Sequence, residues 1–277
     1  MNRRTLLKYT GLSIPTAFLS PLLRAQRQEP AEQKNKEMKI QRLSWAGLKI
    51  ELDGTTLYID AIYGDAAKDI PLLPKTKAVH ALITHHHSDH FDPAALKTVF
   101  GESSTLYCHD SVLPWIDARN FKIQPLHLYQ PVDVSKWKGD LVAIPVPAVD
   151  GFGHPQVSWI VQGGGKKIIH CGDTLWHGYW QDIARAYGPF DVAFMPINAA
   201  RINQGVVKDT GIACVMNPEQ AVVASQLLQA KRVCPIHYGR PGATYFETPD
   251  PEGQFIKSAK ERKADYIILK EGDVLPW

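Results

Sequence analysis

The 277 residues are 44% hydrophobic and 21% charged, the composition of an ordinary globular protein with room for one large domain or two small ones. The net charge of +3 is an N-terminal effect: residues 1–25 hold Arg3, Arg4, Lys8 and Arg24 and no acid, leaving 27 basic against 28 acidic residues beyond them. That near-neutral balance removes the electrostatic case for a nucleic-acid partner. The four cysteines, Cys108, Cys171, Cys214 and Cys234, lack paired spacing and read as buried free thiols rather than a disulfide framework.

In chain order, residues 1–25 have signal-peptide anatomy: a basic start, an apolar run from Tyr9 to Leu23, then small and polar residues. The run is shorter than the roughly 20 apolar residues of a membrane-spanning helix, and Pro15 and Pro21 interrupt it. Arg3-Arg4 ahead of Leu6-Leu7-Lys8 resembles the twin-arginine export signal. The expectation is a periplasmic or secreted protein with no stable membrane anchor once the signal is removed. Residues 26–38 read as a polar linker, and 39–277 as the functional domain.

"LKIELDGTTLYIDA" alternates around Asp53-Gly54 and predicts a hairpin. "AVHALIT" reads as a strand, "DPAALKTVF" as a helix capped by Asp92, "STLYCHD" as a strand and "SVLPWIDAR" as a short helix. "LHLYQPVDV" and "LVAIPVPAV" read as two strands, and "QVSWIVQGGGKKIIHCGD" as a hairpin turning at Gly163 to Gly165. Then come the helix "YWQDIARAYG", the strand "DVAFMPI", the amphipathic helix "NPEQAVVASQLLQA" capped by Asn217, the strand "RVCPIHYG" and a last helix around 251–263. Strands first and helix–strand alternation later suit an α/β protein in which two packed sheets carry helices on both outer faces.

The chemistry concentrates in "ITHHHSDHF", residues 83–91. Alternation in extended backbone puts His85 and His87 on one face and turns His86 away, with Asp89 and His90 following a turn at Ser88. Imidazole and carboxylate suit zinc, and four such groups in six residues exceed what one tetrahedral ion takes from a single loop. Two metal ions are implied. His80, at the start of the strand, reads as structural, as do His109 and His127, which lack motif context.

His85-x-His87-x-Asp89-His90 after an apolar strand resembles the H-x-H-x-D-H signature of the metallo-β-lactamase superfamily. Gly153-His154, Gly172-Asp173-Thr174 and Ile236-His237 follow in that family's order. The resemblance implies an αββα sandwich. It also implies that His85, His87 and His154 hold one metal, that Asp89, His90 and His237 hold the second, and that Asp173 bridges both. The superfamily's true β-lactamases carry a cysteine where Asp173 stands; Cys171, two residues earlier, reads as a packed thiol. "MNPEQAVVASQLLQAKRVCPIHYG" resembles the ending of the L-ascorbate-6-phosphate lactonase-like branch of metal-dependent hydrolases, and "LYIDA" suggests Asp60 beside the metals.

The implied cofactors are two divalent ions, zinc first, with manganese or iron as other options. The implied activity is hydrolysis: a hydroxide between the metals attacks an ester, lactone, amide or phosphoester of a small-molecule substrate, with Asp89 accepting the water's proton. His177, Asn198, Arg201 and Tyr238 are candidate substrate contacts, and His170 is a candidate neighbour of the ligands. A non-haem iron redox or sulfur enzyme on the same scaffold and a non-catalytic metal- or ligand-binding periplasmic protein are the other readings.

Overall fold

The computed structural model describes residues 37–62, 78–135, 139–203, 206, 209–240 and 245–277. Residues 1–25, expected as a signal peptide, and residues 26–36 of the expected linker lie outside them. Met38, assigned above to the linker, is fully buried in the core, and its carbonyl accepts a hydrogen bond from the Trp277 indole. Its apolar side chain places it in the domain.

One six-stranded sheet contains β1 (Lys39–Arg42), β2 (Leu48–Leu52), β3 (Thr55–Ile59), β4 (Ala78–Leu82), β5 (Thr105–His109) and β6 (Ile123–Leu126), in chain order. β1 to β3 form an antiparallel meander, and β3 to β6 run parallel. Asp53 and Gly54, at φ 42° and 79°, make the tight turn of the predicted β2–β3 hairpin.

The second sheet contains β7 (Val132–Asp133), β8 (Leu141–Pro147), β9 (Val157–Gly163), β10 (Lys166–His170), β11 (Phe190–Pro196) and β13 (Ala230–Ile236), in the order β13-β11-β10-β9-β8-β7. β10, β11 and β13 are parallel, the rest antiparallel. β12 (Arg201–Ile202) and β14 (Tyr245–Phe246) form a separate two-stranded ribbon.

The segment 126–134, read above as one strand, divides between the sheets. β6 ends at Leu126, Tyr129 takes a left-handed φ of 66°, and β7 begins at Val132 in the other sheet. Pro131 cannot donate to a ladder, so the break falls beside it.

Three apolar clusters fill the interfaces of a four-layer sandwich. Between the sheets, Leu57 and Ile59 meet Val157, Trp159 and Val161. Their neighbour Ile160 points to the outer face of the second sheet, among side chains of α2 (Trp180–Tyr187), α3 (Pro218–Leu227) and α4 (Pro251–Glu261). On the first sheet's outer face, Tyr58, Val79 and Ala81 pack with α1 (Pro93–Lys97) and the 3-10 turn Asp110–Trp115. Among the described residues no helix is long and apolar enough to cross a membrane.

Candidate metal centre

The parallel strands β3, β4, β10 and β13 all end at one rim of the sandwich, and Asp60, residues 84–90, Asp173 and His237 follow those ends. Loops beyond the carboxyl ends of parallel strands are where α/β proteins place their ligands. Backbone strain gathers here too. Trp45, Asp60 and His237 are left-handed at φ 61°, 46° and 58°, a cost of about 1–3 kcal/mol each that surrounding structure must hold. Gly172, at φ 60°, holds a left-handed backbone that strains other residues, and a Cβ would lie a tight 3.0 Å from Gln156 Nε2 and Thr84 Oγ1. Glycine therefore lets the turn carry Asp173 into the cluster.

Asp60 organises the loop. Its Oδ1 accepts the Thr84 amide at 2.8 Å and its Oδ2 the Thr84 hydroxyl at 2.7 Å, and Oδ2 also stands 2.8 Å from His90 Nδ1. Thr84 Oγ1 is 3.0 Å from His85 Nδ1. With Nδ1 engaged on both rings, His85 and His90 present Nε2 inward, 3.5 and 3.9 Å from Asp173 Oδ2. His90 Nε2 lies 3.7 Å and His237 Nε2 3.5 Å from Asp89 Oδ2. His87 joins His85 at 2.9 Å and His154 at 2.8 Å, nitrogen to nitrogen.

All seven residues expected as ligands are thus brought together. Sets whose ligand atoms lie within 4.8 Å of one another include His85, His90 and Asp173; Asp89, His90 and His237; and His86, His87 and His154.

A fourth set, His87, Asp150 and Asp173, adds a residue that sequence reading missed. Asp150 Oδ2 accepts the His154 amide at 2.8 Å, fixing that loop. The available signal was a carboxylate four residues before His154, just past a strand.

His86 also departs from the expectation. It faces the cavity, its ring 4.8 Å from that of His154 and stacked on Trp115 at 4.8 Å. Residues 85–87 are not in a strand, so the alternation that would turn His86 away does not apply.

Burial and crowding set the electrostatics. Burial holds His85 well below the usual imidazole range, with His90 and His87 adding to the effect. It also takes His237 down to about 4 and pushes the Asp173 carboxyl up to about 7. For His90, burial is outweighed by the carboxylates of Asp89 and Asp60, which push it up to about 10. Protons alone serve this cluster poorly. Among the described residues, His90 Nε2, both ring nitrogens of His237, Asp173 Oδ1 and Asp150 Oδ1 are buried without a hydrogen-bond partner. Buried lone pairs of this kind are costly unless something electropositive meets them. Nitrogen and carboxylate donors in this number fit divalent metal ions.

The cluster forms the floor of a cavity of about 630 Å³. Trp45, missed in the sequence, links floor to wall: its indole Nε1 donates to Asp89 Oδ2 at 3.2 Å, and its ring packs on His237 at 4.3 Å.

The four candidate substrate contacts are absent from the cavity's described lining. His177 stacks on Trp180 at 3.7 Å. Asn198 donates to the Tyr245 hydroxyl at 2.6 Å and so supports a wall residue from behind. Arg201 pairs with Asp209 at 3.2 Å. The Tyr238 hydroxyl donates to Glu252 at 2.7 Å, because the left-handed turn at His237 sends the next side chain to the helical face. His170 stands beside the site, spent on the Ala46 carbonyl at 2.7 Å and the Gly172 amide at 3.3 Å. All four cysteines are buried and unpaired, and burial pushes each thiol up to about 12.

A family model described as the beta-lactamase superfamily domain matches residues 55–238. The chain is similar to a UPF0173 metal-dependent hydrolase of Thermococcus onnurineus, 29% identical over 201 residues that cover 70% of this chain and 80% of the relative. Among solved structures it resembles Igni18, a metallo hydrolase of Ignicoccus hospitalis. That likeness has a TM-score of 0.64 at 21% identity and covers 86% of this chain and 97% of the other. It also resembles CmlA, a diiron beta-hydroxylase from Streptomyces venezuelae, with a TM-score of 0.69 at 13% identity, covering 87% and 54%. At these identities the structural likenesses establish the fold.

Proposed function

This chain belongs to the beta-lactamase superfamily, and from that premise we propose that it is a metal-dependent hydrolase with a dinuclear centre. The observation that carries the reading is the set of buried atoms on His90, His237, Asp173 and Asp150, unpartnered among the described residues, around one cavity floor. His85, His87 and His154 would hold one ion and Asp89, His90 and His237 the other, with Asp173 between them and Asp150 beside the first. Two divalent cations supply Lewis acidity and lower the pKa of a bound water to about 7.

The rest falls to the chain's own residues. Asp60 and Thr84 engage Nδ1 of His90 and His85 and so keep Nε2 aimed inward. Trp45 holds Asp89 Oδ2, which leaves Oδ1 to take the proton from the attacking water. The apolar wall of Phe152, Val215 and Tyr245 limits water beside the scissile bond. Esters, lactones, amides and phosphoesters are the substrate classes this chemistry serves. Export belongs to the same proposal, supported by Arg3-Arg4 and the short apolar run; fractionation of cells expressing the full chain checks it.

Metal analysis of the purified chain, followed by a lactone, ester and phosphodiester panel, tests the hydrolase reading. About two zinc or manganese ions per chain are expected, with turnover abolished in Asp89→Ala and His90→Ala. Metal-replete protein without turnover, or alanine variants that keep it, would overturn the reading. Iron with a visible absorption band and no hydrolysis would turn it toward redox chemistry.

A further inference from the structure

The cavity above the floor is unlike it. Trp45, Phe152, Ile202, Val215 and Tyr245 form an apolar wall, and Arg240 is the one guanidinium or ammonium group among the described lining residues. Four carboxylates, those of Asp60, Asp89, Asp150 and Asp173, surround the proposed metal positions. Their formal charge matches that of two divalent ions, so the centre does not need Arg240.

Arg240 is nevertheless held in place. Its Nη2 donates to Ser44 Oγ and lies 3.3 Å from Glu271 Oε1, and its guanidinium carbon is 5.9 Å from the Trp45 ring centre. The Gly239 and Arg240 amides both donate to Glu247, at 2.9 and 3.1 Å, which fixes the backbone beneath it. Glu271 Oε1 is shared with the Trp45 amide at 2.9 Å. The pair with Arg240 is one-third exposed on the arginine side, and exposed pairs are worth only about 0–1 kcal/mol. Nε and Nη1 have no hydrogen-bond partner among the described residues. The Trp45 indole thus spans from Asp89 on the floor to a positioned guanidinium with donors uncommitted among the described residues.

We propose that the substrate is an amphipathic anion. Its scissile group rests on the metal floor, its apolar body lies along Trp45 and the facing wall, and a carboxylate or phosphate meets Arg240. This rests on the hydrolase reading and names its substrate class. A planar guanidinium pairs with either anion through two parallel N–H donors, and indole contact excludes the water that would weaken the pair.

Phenylacetate, benzyl phosphate and phenylacetamide share one apolar body and differ in charge. Each is titrated calorimetrically into the metal-loaded full chain and into Arg240→Gln and Arg240→Lys. At least one anion should bind about tenfold or more tighter than the amide, the size expected of a charged hydrogen-bond pair. Arg240→Gln should erase that advantage and leave amide binding unchanged, and Arg240→Lys should keep part of it. The anion that gains more identifies the group as carboxylate or phosphate.

Equal affinity for all three probes in the native chain overturns the proposal. So does an advantage that survives Arg240→Gln, which would place anion selection on the metals. So does a parallel loss of all three, which would make Arg240 a strut for the wall. Hydrolysis of the matching esters is followed separately: Arg240-dependent binding without turnover sinks the hydrolase reading alone.

Discussion

Asp60 holds the Thr84 amide, the Thr84 hydroxyl and His90 through two oxygens, none of them exposed to water. Asp60→Asn keeps the size but turns one acceptor into a donor facing a hydroxyl and an imidazole. Metal affinity should fall by about 10–100-fold, as for other groups that orient a ligand, read by competition with a chromogenic chelator. Trp45→Phe makes a useful contrast, since it keeps an aromatic ring beside His237 and removes the donor to Asp89; a smaller loss, within about tenfold, should appear in the same titration. If both variants bind metal like the native chain, neither residue positions the centre. Asp60 was legible because "LYIDA" resembles the aspartate-ended strand of the metal-dependent hydrolase branch. Trp45 was not: its role depends on a left-handed backbone and on a contact 44 residues away in the chain.

The elements carry their own signals, and most lie within a few residues. α3 is capped by a reciprocal box in which Asn217 Oδ1 accepts the Gln220 amide at 2.8 Å and Gln220 Oε1 the Asn217 amide at 3.0 Å, with Pro218 at the first turn. Asn217→Ala should therefore lower stability by about 0.5–2 kcal/mol, measured by urea denaturation, with metal content unchanged. A variant as stable as the native chain would show that α3 is fixed by packing alone. The cap, the β2–β3 turn and the β9–β10 hairpin could all be placed from sequence because their determinants are adjacent residues. The division of 126–134 could not, since apolar spacing does not say which of two sheets a strand joins. The same limit misdirected His86, where alternation was applied beyond the end of the strand.

For the whole molecule, the candidate ligands come from both sheets: Asp60 and His85 to His90 follow the first, Asp173 and His237 the second. Ions held between them would add stability to the fold as a unit. With metal at about 100 times its dissociation constant the gain is about 2.7 kcal/mol, roughly 5–10 °C in Tm for a domain of this size. Chelation should lower the melting temperature by that amount and added zinc restore it, read by scanning fluorimetry; an unchanged transition would argue against metal bridging the two layers. By itself the sequence determined the α/β class and most of the element order, because these follow from periodicity and capping along the chain. Its resemblance to the metallo-β-lactamase superfamily pointed to the αββα sandwich and to the candidate ligands His85, His87, Asp89, His90, His154, Asp173 and His237. Only the tertiary structure decided that Asp150 and His86 join the cluster, that Trp45 holds Asp89, and that Arg240 stands at the rim while His177, Asn198, Arg201 and Tyr238 face elsewhere. Each of those facts depends on which loops of two sheets meet at one rim, and packing sets that meeting, not the spacing of residues along a strand.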